Sequence, residues 1–249
     1  MRNSGRRLAE VSAGLRERVV VGVSTAELDE LAEKMIRDRG GVPSFKGYRV
    51  PGIRDPFPAT ICASPNEQVV HGIPTDVPLK AGDIISIDMG LIYGGYHSDC
   101  AFTVAVGEVT PEVAHLLDVT ERSLYVGISQ ATPENRTGDI GHAIQSFVEP
   151  EGFGIVREYV GHGIGRRLHE RPSVPNFGRP GRLDLLKSGM CIAIEPMTTV
   201  GSYDTEALED GWTVVTADRK LSAHFEHTVA ITPAGPEILT VLDGQQPSF

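Results

Sequence analysis

With 249 residues and 40% apolar content, the chain can bury a substantial core as one large domain or two modest ones. Its 33 acidic against 23 basic residues give a formal net charge of −10, which argues against wholesale binding to a phosphate backbone. Three scattered cysteines (Cys62, Cys100, Cys191), no signal-peptide core and no apolar run of membrane-spanning length point to a soluble protein of the reducing cytoplasm.

Apolar Leu8, Val11, Leu15 and Val19 recur at helical spacing and predict a first helix over 3–20. Ser24, with Glu27 three residues on, forms a capping box that opens a second helix through Leu28, Leu31, Met35 and Ile36, ended by Gly40-Gly41. The pattern then breaks. Residues 42–58 (VPSFKGYRVPGIRDPFP) are rich in Pro, Gly and aromatics and predict a bulky surface loop. Short strands are expected at 59–63 and 68–71, before the turn Gly72-Ile73-Pro74.

Residues 84–106 read as two strands rich in β-branched residues, joined across Tyr93-Gly94-Gly95. Asp88 precedes that turn and Asp99 follows it. A two-residue loop at Tyr93-Gly94 sets them directly opposite, and one at Gly94-Gly95 makes them diagonal neighbours. Both registers put the carboxylates on one face, and only an unbulged three-residue loop separates them. Two like charges so placed cost roughly 0.2–1 kcal/mol, and more where water is excluded. Ile84, Ile85, Ile87, Phe102 and Val104 make the surroundings apolar. A divalent metal is the strongest candidate to hold the pair; the alternative has one Asp capping the turn and the other facing solvent.

Thr110-Pro111-Glu112, an N-cap with Pro at the first helical position, starts a third helix running to about Gln130. A fourth is expected from Thr137 to Gly152, then strands at 153–159, 190–200, 212–215, 225–231 and 237–242. The order helix, helix, strands therefore occurs twice. Thr25, Leu28, Leu31, Met35 and Gly40 match Thr137, Ile140, Ala143, Phe147 and Gly152 at identical offsets, and GDIISID (82–88) matches GMCIAIE (189–195). Two related halves packed about a pseudo-two-fold axis would place Glu195 across that axis from Asp88.

Glu195 ends the apolar run IAIEPM, and Glu226 lies within AHFEHTVAIT. Singly, each reads as a solvated carboxylate at a strand end. With the repeat, four acids converge, and four buried negative charges require counterions, which two divalent cations would supply. His162 sits in Gly161-His162-Gly163-Ile164-Gly165, whose glycines would let the backbone turn tightly and present the imidazole, and His169 follows. One imidazole beside four carboxylates suits Mn, Fe(II), Co or Zn. Two such ions share a water and lower its pKa, giving a hydroxide nucleophile for a carbonyl or phosphoryl substrate.

The set Asp88, Asp99, His162, Glu195 and Glu226, with the phrases HGIP, SIDMG, GHGIG, IEPM, DGWTV and EHTVAIT, resembles the type I methionine aminopeptidases of the pita-bread fold over nearly the whole chain. The resemblance implies an α+β fold of two helix-helix-strands halves, about 1–108 and 109–249, sharing a central antiparallel sheet covered by helices. The whole of 1–249 would be one catalytic domain. It implies a dinuclear metallo-exopeptidase that removes the initiator methionine from nascent polypeptides through a metal-bridging hydroxide. Asp88 would chelate one ion, Asp99 and Glu226 bridge both, and His162 and Glu195 bind the other. Glu195 would double as the proton shuttle. His71 and His169 match the family's two non-ligand histidines, which hydrogen-bond the scissile amide and the tetrahedral oxyanion. Cys62, Trp212 and Tyr48 or Phe45 match the walls of the side-chain pocket. The short interval between His162 and Glu195, with no zinc-finger extension, fits the bacterial-like form. The family suggests a monomer, nascent-chain substrates and a transient ribosome contact, with no nucleic acid or membrane partner.

Two departures touch the pocket and leave the metals alone: Leu168 stands where an aromatic is usual, and the 50–57 loop is several residues longer than usual. His97, His115, His142 and His227 read as surface or outer residues, His97 being nearest the site. Competing readings are an Xaa-Pro peptidase of the same fold, a metal-free binding protein on this scaffold, and a specialised biosynthetic peptidase.

Overall fold

The computed structural model describes residues 1–245. In chain order come α1 (Arg2–Arg16), α2 (Thr25–Asp38), β1 (Val42–Pro43), β2 (Ile61–Pro65), β3 (Gln68–Val70), β4 (Ile84–Tyr93), β5 (Tyr96–Ala105), α3 (Pro111–Ser129) and α4 (Thr137–Val148). A 3-10 turn (Glu149–Glu151) follows, then β6 (Gly154–Ile155), β7 (Gly161–Gly163), β8 (Glu170–Val174), β9 (Cys191–Ile194), β10 (Met197–Thr199), β11 (Thr205–Ala207), β12 (Val214–Thr216), β13 (Ser222–His224), β14 (Glu226–Thr232) and β15 (Gly235–Ile238).

The central sheet runs β1-β4-β5-β14-β9-β7-β8, with β2 also on β4 and β15 also on β14, every pairing antiparallel. Leu8, Leu15, Leu28 and Ile36 of the first helix pair pack on one face of it, with Val119, Leu124, Ile140 and Ile144 of the second. Their strand partners alternate: Ile85, Ile87 and Met89 of β4, Cys100 and Phe102 of β5, Ile192 and Ile194 of β9, Val229 and Ile231 of β14. Period-two alternation therefore turns Asp88, Asp99, Glu226 and the residue after Ile194 to the opposite face. The apolar pattern that builds the core also gathers the acids.

The entries to α2 and α4 share several bonds, although only Ser24 also caps its helix through its side chain. Ser24 caps α2 with Glu27 reaching back to its N–H (2.8 Å), as Asp139 reaches the Arg136 N–H (2.7 Å) at the start of α4. Ser24 bridges Pro78, and Arg136 bridges Leu185. The Leu79 N–H meets the Val23 carbonyl and the Leu186 N–H the Asn135 carbonyl, both at 2.8 Å. Gly82 and Gly189, at φ +93° and +94°, donate to Val106 and Ile231.

The predicted elements need trimming at their ends. The first helix stops at Arg16, although Val19 beyond it is still buried. The expected 190–200 strand is two, because Pro196 lacks the N–H to continue a ladder. Only Gly154–Ile155 of 153–159 is strand, Trp212 precedes β12 without joining it, and the last strand is Gly235–Ile238. The two- and three-residue strands β1, β7, β11 and β13 are below what alternation reveals, and the five-residue β8 was not expected either.

Candidate metal centre

The hairpin turn is Gly94-Gly95, with Tyr93 paired to Tyr96 and φ of +59° and +78°, a mirror-type turn that glycine permits. Asp88 therefore faces Ala101 and Asp99 faces Gly90, so the two acids are diagonal neighbours on one face. Asp99 is fixed on both backbone sides by Thr228: its N–H donates to Oγ1 (2.9 Å), and the hydroxyl donates to its carbonyl (2.8 Å). Glu226 opens β14 opposite Ala101. Glu195 follows β9, its carbonyl accepting from the buried Asn176 Nδ2 at 3.0 Å.

His162 lies on β7 between two glycines, and their role differs from the expectation. Neither has a positive φ; instead a Cβ at 161 would meet the Ala193 carbonyl and one at 163 the Arg171 carbonyl. Glycine there admits neighbouring backbone, which brings the imidazole to the acids. His162 Nδ1 donates to the Gly163 carbonyl at 2.9 Å, leaving Nε2 as a lone pair 3.7 Å from Glu195 Oε1 and 4.0 Å from Asp99 Oδ2. Burial, and then His169, lowers its pKa to about 4, so the ring is neutral.

Burial raises the carboxyl pKa of all four acids. Asp99 and Glu226 are pushed further by the other acids around them, and Glu195 by Asp88. Asp88 Oδ1, Asp99 Oδ1 and Glu226 Oε1 are buried with no hydrogen-bond partner. Unpartnered carboxylate oxygens in a dry site need a cation. Among the described residues, Asp99, His162 and Glu226 offer ligand atoms all within 4.8 Å of one another. Four carboxylates and one imidazole lone pair suit divalent ions of hard to borderline character.

These side chains floor a cavity of about 280 Å³, which every predicted site residue lines. His169 Nδ1 lies 2.6 Å from the Tyr48 hydroxyl, and its ring centroid 4.4 Å from that of His162. His71 is held at φ +60°, a left-handed conformation uncommon outside glycine, with its ring edge-on to Tyr159 and Trp212. Phe45, Phe57, Cys62, Leu168 and Trp212 form the apolar walls. Burial and then Asp88 hold the Cys62 thiol protonated, so it serves as wall and not as nucleophile.

The long loop is pinched at its neck, where the Gly47 N–H meets the Phe57 carbonyl and the Phe57 N–H the Tyr48 carbonyl. Residues 49–56 stand out beyond it; Val50 lines the cavity, Ile53 packs on the wall cluster, and the Asp55 carbonyl accepts from the Trp212 indole at 3.1 Å.

Of the histidines read as peripheral, His115 and His142 are exposed. His97 is half-buried at the Ser44 hydroxyl (3.0 Å) and does not line the cavity. His227 is half-buried on the helix side of the sheet, against Tyr125 and Thr240. Sequence reasoning missed His224, buried beside Glu195, and Tyr159 in the cavity wall. Alternation from Glu226 was a signal for the first.

A model of metallopeptidase family M24 matches residues 1–233. The methionine aminopeptidase of Clostridium perfringens is 52% identical over 242 residues, covering 97% of this chain and 95% of that protein. Methionine aminopeptidase 1 of Bacillus subtilis is 50% identical over 96% of this chain and 94% of its own. The crystal structure of the methionine aminopeptidase from Thermotoga maritima matches with a TM-score of 0.93 at 41% identity, covering 97% of this chain and 95% of that one. The chain belongs to metallopeptidase family M24, among its type I methionine aminopeptidases, and is a metal-dependent aminopeptidase of the pita-bread fold.

Proposed function

We propose that this enzyme removes the N-terminal methionine from newly made polypeptides in the cytoplasm, with two divalent ions held by Asp88, Asp99, His162, Glu195 and Glu226. The reading is carried by one observation: buried acids with unpartnered oxygens floor a narrow cavity whose walls are apolar. Ions bound there supply a Lewis acid and a water acidified toward neutrality. Glu195, at the edge of the floor, takes the proton of the attacking water and passes it to the leaving amine. The Tyr48 hydroxyl donates to His169 Nδ1, so that the ring carries its proton on Nε2 and offers it to the developing oxyanion. His71, kept neutral by burial and then by His169, with a pKa lowered to about 4, hydrogen-bonds the scissile amide. Phe45, Phe57, Cys62, Leu168 and Trp212 take the unbranched thioether side chain and exclude water. The two halves, about 1–108 and 109–249, act as one catalytic domain.

The test is a peptide panel with defined metals. Met-Ala-Ser is expected to release free methionine faster than any Xaa-Pro peptide is cleaved. Faster Xaa-Pro cleavage rejects the substrate assignment, and absence of both activities with Mn, Fe(II), Co and Zn rejects the enzyme.

A further inference from the structure

The pseudo-symmetry that relates Asp88 to Glu195 also assigns Asp99 a counterpart, which is a histidine. Along the first hairpin Gly90 pairs with Asp99; in the second half the register running through Ile194 and His227 continues to Met197 and His224. His224 thus stands diagonal to Glu195 as Asp99 stands diagonal to Asp88. The backbone fixing is duplicated as well. Thr228 brackets Asp99 through its N–H and carbonyl, and Thr103 brackets His224 in the same manner, both bonds at 2.8 Å. Only the side chain differs between the two positions: a carboxylate in one half, an imidazole in the other.

That imidazole is 1% exposed, and its Nε2 has no hydrogen-bond partner. The nearest acidic atom is Glu195 Oε2 at 3.8 Å, while the other oxygen of that carboxylate faces His162. A buried ring nitrogen without a partner is destabilising, so its orientation toward Glu195 calls for an explanation. Resting on the metal-centre reading above, we propose that His224 is a positioning residue: in the metal-loaded enzyme its Nε2–H closes the 3.8 Å gap to Oε2 of Glu195 and fixes that carboxylate for the ion it shares with His162. A carboxylate in place of His224 would add a fifth negative charge to the floor. An imidazole donor orients Glu195 without adding charge, as outer hydrogen bonds commonly orient metal ligands.

The test uses the full chain, stripped of metal by chelation, as wild type, His224→Leu and His224→Gln, each titrated with Co(II) by isothermal calorimetry and checked for fold by circular dichroism. His224→Leu is expected to lose about 10–100-fold in affinity for one ion, while His224→Gln, which keeps an N–H donor, retains most of it. A folded His224→Leu that binds both ions as tightly as wild type overturns the assignment. A second readout needs no leucine variant. In Zn(II)-loaded wild type, the His224 ring N–H, identified by its loss in His224→Gln, should give an exchange-protected downfield proton resonance. Its absence overturns the role. Wild type that takes up no Co(II) overturns the metal centre and this role together, whereas normal uptake with an indifferent His224→Leu overturns this role alone.

Discussion

Each acid in the cavity floor leaves the backbone from a strand or a strand end, and β-ladders run through or beside all four. The walls are assembled differently: Trp212 precedes its strand, Tyr48 and Phe57 sit at the neck of a loop, and 49–56 reach the wall through Ile53 and one indole hydrogen bond. Under the proposed function, the chemistry would rest on elements whose register cannot slip without turning every core residue outward. Cys62 apart, which lies on β2 opposite Asp88, the wall would rest on loop segments whose length can change at little cost to the sheet. On that reading, side-chain preference is freer to drift than the metal centre.

The sharpest way to break that comparison is to alter the floor. Glu226→Gln or Asp99→Asn should remove metal and activity together, leaving under one-hundredth of the turnover, since even outer partners of metal ligands cost about 10–100-fold. Metal analysis beside an assay of methionine release checks this, and full metal content with lost activity would contradict it. His169→Ala should keep its metal and lose about 10²–10³ in kcat, the usual cost of removing one oxyanion donor; loss of metal instead would move His169 into the ligand set. In the wall, Trp212→Ala should raise KM for methionyl peptides roughly tenfold, about 1.4 kcal/mol, with kcat little changed and metal content intact. A fall in kcat alone would place Trp212 in the floor's chemistry.

The smallest expected effect is in stability against pH. Burial raises the carboxyl pKa of Asp88 to about 7 and of Glu195 to about 8, with Asp99 and Glu226 also raised. The folded state of the chelated protein thus binds protons that the unfolded chain releases, a contribution lost as pH rises through those values. The histidines lowered by burial act the other way but are already neutral above about pH 6.5. Calorimetry on the chelated protein should show Tm falling between pH 7 and 9, with the metal-loaded form gaining its widest margin at the alkaline end. A Tm that climbs over that range would contradict the description of the floor.

What could be read from the sequence follows the same division. The hairpin register, the shared face of Asp88 and Asp99 and the match of Glu195 to Asp88 are consequences of period two and of repeated spacing, and both are local in sequence. The gathering of His162 with these acids was not local: β7 is three residues long, and its place beside β9 depends on close backbone contacts that Gly161 and Gly163 allow. His224 was overlooked because β13 is equally short, although its distance from Glu226 already put it on the right face. The walls were legible only through resemblance. Nothing periodic announces that Asp55 would meet the Trp212 indole, more than 150 residues away.

The most direct test of the central claim is anomalous diffraction at the manganese edge from crystals grown with Mn(II). Two peaks among Asp88, Asp99, His162, Glu195 and Glu226, each within about 2.3 Å of its ligand atoms, are the predicted result. A map without anomalous density between those five side chains, from crystals of enzyme that still cleaves methionyl peptides, would contradict it.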